Sequence, residues 1–188
     1  MRKLIYPMMV SLDGYIESPN GDIEWVIVDE ELHTYINDQQ RQRGGYLDGR
    51  RTYELMCEFW PTADSDPTQP EYIRDFSRIW KGMPKYVFSR TLDKVEGDAQ
   101  LVRENAVDVV TRLKEQPGKD LELGGASFAS TFIRLGLIDE YWLYMEPIIL
   151  GGGKPMFPAL LNPVNLQLVE TRAFGSGVVL LRYRQKEK

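Results

Sequence analysis

Leu121-Glu122-Leu123-Gly124-Gly125-Ala126-Ser127 runs on through Gly136 into an apolar segment at residues 138–150. It reads as strand, glycine turn, helix and strand again. The short apolar run before the glycines suits a buried strand. Residues 126–135 carry the helix, with Gly136 at its C-cap, where glycine is favoured. Residues 138–150 predict one long strand. A unit of this kind belongs to a parallel sheet with helices on its faces.

The flanking segments extend the pattern. Residues 3–10 predict a buried strand ending at the turn Ser11-Leu12-Asp13-Gly14, and Pro19-Asn20-Gly21-Asp22 is a second turn. Residues 29–43 predict a helix from Leu32, Tyr35, Ile36 and Gln39, fronted by Asp29 or Glu30 and stopped by Gly44-Gly45. A short segment at 46–49 leads into a helix from Arg50 to Phe59. The Pro-bounded 61–70 stretch predicts a surface loop. Helices follow at 71–80 and 105–116, strands at 85–89 and 99–102. Residues 166–172 and 178–184 predict a hairpin around Gly175-Ser176-Gly177. Strands alternating with helices, then a strand-rich tail, predict an α/β fold: a mostly parallel sheet with an antiparallel edge. No repeat, low-complexity tract or linker divides the chain, so one domain is expected over 1–188.

Composition narrows the classes. The 188 residues are 43% hydrophobic and 27% charged, enough for one well-formed core and too apolar for disorder. Lys and Arg total 23 against 28 Asp and Glu, net −5, which argues against a nucleic-acid partner. No apolar run approaches the roughly 18 residues of a membrane span. The first residues lack a small-residue cleavage site and read as a strand rather than a signal peptide. Cys57 is the sole cysteine and His33 the sole histidine, so no disulfide and no Cys/His metal site is expected. Without a G-x-S-x-G elbow, Ser-His-Asp chemistry is set aside as well. A reduced, cytoplasmic domain is expected.

Three junctions have the chemistry to hold phosphate. Arg50-Arg51-Thr52 opens a helix, where amides and guanidinium groups favour an anion; a surface Arg pair with a Thr N-cap is the plain alternative. Ser89-Arg90-Thr91 follows a strand, on the side where open α/β sheets bind ligands. Gly124-Gly125-Ala126-Ser127 lets backbone approach a pyrophosphate, although it is not the G-x-G-x-x-G fingerprint. Together they suggest a nucleotide with more than one phosphate. Among the acids Asp13, Asp22, Glu24, Asp29, Glu30 and Glu122, the last stands inside an apolar strand and, if buried, needs a partner or a raised pKa. Core packing is the default for Trp25, Trp60, Trp80 and Trp142.

The ordered set Ser11-Leu12-Asp13-Gly14-Tyr15-Ile16, Gly49-Arg50-Arg51-Thr52-Tyr53-Glu54, Val87-Phe88-Ser89-Arg90-Thr91-Leu92, Gly124-Gly125-Ala126-Ser127 and Gly136-Leu137-Ile138-Asp139-Glu140 resembles one family along essentially the whole chain. It is similar to the dihydrofolate reductase superfamily, and within it to the reductase (C-terminal) domain of bifunctional riboflavin-biosynthesis deaminase/reductase proteins, in stand-alone form. The tail from Pro147 through Gly151-Gly152-Gly153 to Phe157 fits too. The resemblance implies a dihydrofolate reductase-like three-layer fold and an NADPH-dependent reductase acting on a small-molecule substrate. Hydride would reach a C=N or C=O carbon, as in 5-amino-6-(5-phosphoribosylamino)uracil reductase or dihydrofolate reductase.

By motif, Arg50, Arg51, Thr52, Ser89, Arg90 and Thr91 would hold the adenosine-side phosphates. Gly124, Gly125, Ala126 and Ser127 would take the pyrophosphate, extending to Ala129 and Ser130. Val10 and Trp25 would lie near the nicotinamide, and Asp13 and Glu122 near substrate. Glu30 follows Trp25 at the spacing of the folate-reductase acid and is the catalytic candidate for proton supply. A homodimer is implied as well. Besides the Glu at position 30 where folate reductases carry an Asp, the chain departs from the family in three ways. It lacks H-x-E with P-C-x-x-C, so the zinc deaminase half is absent; Val26-Ile27-Val28 has no proline; Asp48 replaces an expected apolar residue. A non-catalytic nucleotide-binding module on the same fold is the alternative.

Overall fold

Leu4 and Tyr6 point to one face of the first strand and Ile5 to the other, and all three are buried. That strand must therefore be covered on both sides, as strands of parallel sheets are. In the computed structural model, which describes residues 1–186, the chain runs in this order: β1 (Leu4–Ser11), β2 (Tyr15–Glu17), α1 (Glu30–Gln40), β3 (Arg43–Gly49), α2 (Arg50–Phe59), a 3-10 turn (Ala63–Ser65), α3 (Glu71–Gly82), β4 (Lys85–Phe88), β5 (Gln100–Val102), α4 (Ala106–Glu115), β6 (Asp120–Gly124), α5 (Ala126–Arg134), β7 (Glu140–Glu146), β8 (Lys154–Pro155), β9 (Leu166–Ala173) and β10 (Val179–Gln185).

The main sheet has the order β5-β4-β3-β6-β1-β7-β10-β9. Every neighbouring pair from β5 to β7 is parallel, and β10 runs antiparallel to both β7 and β9. Three layers result. On one face α4 and α5 bring Val110, Leu113, Ala129 and Phe132 onto Leu4, Tyr6, Leu47, Leu121 and Leu123. On the other, Leu32 of α1 packs with Ile5, Trp142 and Tyr144. Phe76 and Trp80 of α3 join Tyr46 there, with Met56 and Cys57 of α2 against them. Burying each large apolar side chain stabilises the fold by roughly 1.5–3 kcal/mol, and Phe132 at 0% exposure is among the largest. The expected α/β architecture, with its antiparallel C-terminal hairpin, is the one observed.

Several boundaries differ from expectation. Helix α1 ends at Gln40, and Gly44-Gly45 lies inside β3 rather than stopping the helix. A Cβ on Gly44 would stand 2.8 Å from the Lys119 carbonyl, so the strand needs glycine for close approach to its neighbour. Strand β7 stops at Glu146, before Pro147, instead of reaching residue 150. The β2–β8 pair, too short for a sequence pattern, links the first turn to the Gly151–Gly153 loop. Gly49, not Thr52, is the N-cap of α2. Trp25 and Trp60 are half-buried, whereas Trp80 and Trp142 are core.

Candidate functional site

Strands β3, β4 and β6 are parallel neighbours, so their C-terminal ends share one edge of the sheet. Helix α2 leaves β3 for one face, and α5 leaves β6 for the other. Such a divergence opens a crevice where α/β folds bind ligands. Gly49 caps α2 and Gly125 caps α5, neither with a side-chain hydrogen bond, so both N-termini present backbone amides and the positive end of a helix dipole. Gly125 has φ +84°, and a Cβ there would collide with the Thr52 hydroxyl. Arg50 pairs with Glu54 at 2.8 Å and donates to Thr91 Oγ1 at 3.2 Å. Ser89 Oγ accepts the N–H groups of Thr91 and Leu92 at 3.2 and 3.0 Å. The fold thus joins the three junctions singled out in the sequence: Arg50 to Thr91, Thr52 to Gly124-Gly125. Arg51 is exposed and lies 3.5 Å from Glu17, and Arg90 is exposed in the same turn as Thr91.

Arg103 escaped the sequence reading. It donates to the Arg90 and Leu92 carbonyls at 3.1 and 2.7 Å and so shapes that turn from the end of β5.

A cavity of about 240 Å³ lies between the sheet and α1, walled by Met9, Ile36, Phe76, Trp142 and Tyr144, with Glu122 as its carboxylate. Gln40 Nε2 donates to both Glu122 oxygens at 2.8 and 2.9 Å, and Arg43 Nε reaches one at 3.2 Å. Burial raises the Glu122 pKa, and Arg43 and Gln40 restrain that rise. Arg43 is itself buried, its guanidinium 4.4 Å above the Trp142 ring, where Arg182 also stacks at 3.9 Å. Gln40 and Arg43 were not candidates from sequence. A polar pair at a helix end and a strand start has no local signal of its target.

Register sets Tyr46 beside Glu122 and Asp48 beside Gly124. Asp48 is only 6% exposed, and a Cβ on Gly124 would collide with its Oδ1. Burial, reinforced by the charge of Glu122, raises the Asp48 pKa to about 7, with Lys85 opposing.

The remaining candidates separate from this cluster. Asp13 is exposed, and its carboxylate accepts from Ser11 Oγ at 2.7 Å and the N–H groups of Leu150 and Gly151 at 3.1 and 2.7 Å. Its visible work is to pin the glycine loop to the end of β1. The Val10 side chain is buried in the main core, leaving only backbone for a ligand. Trp25 is half-buried, with its Nε1 buried and without a partner among the described residues. The adjoining Ile27 N–H donates to buried Glu146 at 3.1 Å. Asp29 caps α1 by accepting from Leu32 N–H, which leaves Glu30 exposed on the first turn. Ten residues of helix, about 15 Å of rise, separate Glu30 from Gln40, and Glu30 is not on the cavity wall.

Among the described residues, no helix is long and apolar enough to cross a membrane, and no three His, Cys, Asp or Glu side chains gather to hold a metal.

Comparison with known proteins agrees with this fold. The family model for the RibD C-terminal domain matches residues 2–180. The uncharacterized protein YyaP of Bacillus subtilis (strain 168) is 39% identical over 186 residues, covering 97% of this chain and 94% of that protein. A solved candidate riboflavin-biosynthesis protein of Shewanella sp. PV-4 superposes with a TM-score of 0.78 at 24% identity, over 98% of this chain and 99% of its own. The dihydrofolate reductase of Enterococcus faecalis, solved with NADP(H), gives 0.63 at 16% identity over 98% and 97%. At such identities the two structures speak for the fold alone. The chain belongs to the RibD C-terminal domain family, built on a dihydrofolate reductase-like fold.

Proposed function

We propose that the protein is an NADPH-dependent reductase of a small nitrogen heterocycle. The observation that carries this reading is the meeting of three phosphate-suited junctions on one sheet edge, beside a cavity that contains a buried carboxylate. The residues present fit a dinucleotide. The amides of α2 and α5 and the Thr52 hydroxyl suit a pyrophosphate, and the guanidinium groups of Arg50, Arg51 and Arg90 favour the extra phosphate of NADPH over NADH. The bound cofactor supplies hydride. The chain supplies binding and orientation.

Glu122 accepts ring N–H groups, with Gln40 and Arg43 fixing its plane. Met9, Ile36, Phe76, Trp142 and Tyr144 exclude water and hold the ring flat. Glu30, exposed on the first turn of α1 and off the cavity wall, is not placed to give a proton to a ring held by Glu122. Exchange of Glu30 for Gln is then expected to leave turnover and NADPH affinity close to wild type; a selective loss of turnover would restore the proton-supply role.

Titration with NADPH and NADH in parallel, read by energy transfer from the four tryptophans to the nicotinamide, tests the reading. Saturable binding that favours NADPH, followed by turnover of a heterocyclic substrate, is expected. Binding without turnover of any such substrate would favour a non-catalytic nucleotide module. Binding of neither cofactor would remove the function and leave the fold.

A further inference from the structure

We propose that Asp48 belongs to the phosphate cradle and works there as a neutral carboxylic acid, donating its O–H to a phosphate oxygen, so that the dinucleotide binds together with one proton. The inference rests on the NADPH reading above and adds to it a residue and a linked proton.

The placement comes from the strand register. Asp48 is the last residue of β3 before the Gly49 cap of α2, and its register partner is Gly124, the last residue of β6 before the Gly125 cap of α5. Its side chain therefore stands where both helices begin. Two oxygens occupy the space over the glycine pair: Asp48 Oδ1 against Gly124 and Thr52 Oγ1 against Gly125. Thr52 is a neutral donor. Asp48, more than nine-tenths buried, receives no hydrogen bond from a described residue that would hold it as an anion.

The groups facing Asp48 favour its neutral form. Glu122 of β6 is a second acid, held by Arg43 and Gln40; Tyr46 lies on the same strand and Cys57 on α2. Among the described residues Lys85 of β4 is the one cation acting on it, and that ammonium donates to the Met83 carbonyl at 2.9 Å and lies 4.2 Å over the Trp80 ring. An incoming phosphate adds another negative charge to this corner. Like charges in a buried site do not all stay ionised. Asp48, with a pKa already near 7, takes a proton from solvent at little cost and becomes a donor. No covalent bond changes: one proton enters with the anion and leaves with it.

Calorimetric titration of NADPH at about pH 8, in two buffers of different ionisation enthalpy, counts the protons taken up. The wild type is expected to take up between half and one proton per NADPH. Its affinity should fall by up to about tenfold per pH unit above pH 7. Asp48→Asn is expected to take up none, to show no such fall, and to bind at least as tightly as wild type at about pH 8. Asp48→Ala, lacking a donor, should be equally flat but about tenfold weaker than wild type near pH 6. The phosphate of NADPH titrates near pH 6 in all three and cancels between them. Equal proton uptake by wild type and both variants would overturn the role of Asp48 alone. Failure of all three to bind NADPH at any pH would overturn the cofactor reading and this proposal with it.

Discussion

Asp48 and Glu122 show how much a buried carboxyl depends on its neighbours. For Asp48 the folded-state pKa stands at about 7 against an ordinary aspartate value of 3.8, so between those values the folded chain holds a proton that the unfolded chain has lost. Stability from this group is complete below about pH 4 and declines as pH rises toward 7. Asp48→Asn is therefore expected to match wild type near pH 4 and to exceed it near pH 8 by on the order of 4 kcal/mol, read from urea unfolding at each pH. Glu122 behaves differently because it has partners. Glu122→Gln leaves the Arg43 guanidinium buried and unneutralised, which should cost about 3 kcal/mol in the same assay. Little of this was readable in the sequence. Glu122 stood out as an acid in an apolar strand and Asp48 as a charge in place of an apolar residue. Their shared corner follows from pairing between β3 and β6, which no local pattern encodes.

At the level of elements, local chemistry was easier to read. Strand–glycine–helix junctions announce themselves within a few residues, so the three phosphate-suited turns were found separately, and only the sheet order brought them together. Gly44-Gly45 resembled a helix stop because glycine serves both purposes; the crowding that explains it comes from Lys119, far along the chain. Asp29 or Glu30 at the front of α1 resolves as Asp29, and Asp29→Ala should cost about 1 kcal/mol by loss of the cap to Leu32, measured as thermal destabilisation. The β3–β6 pairing gives a sharper prediction. Gly124→Ala places a methyl group against Asp48 and should destabilise by about 1–3 kcal/mol. In an Asp48→Ala background most of that loss should vanish, and a double-mutant cycle with no coupling would contradict the packing described.

Across the whole molecule, stability should be graded from the middle of the sheet outward. Strand β1 has parallel partners on both sides and buried residues on both faces, whereas β9 is an edge strand with Leu168 and Val169 about half exposed. Amide exchange should be slowest in β1, β6 and β7 and fastest in β9 and β5, as expected when opening begins where contacts are fewest. That gradient has a consequence for synthesis. Leu4 pairs with Leu121, and Tyr6 with Tyr141, so the first of these strands to be made waits for partners synthesised much later. At roughly 5–20 residues per second a ribosome needs on the order of ten seconds to reach those partners. Through that interval an apolar N-terminal segment waits outside the exit tunnel with nothing to pair against, so the demand this chain places on chaperones is set by the order in which its strands are born.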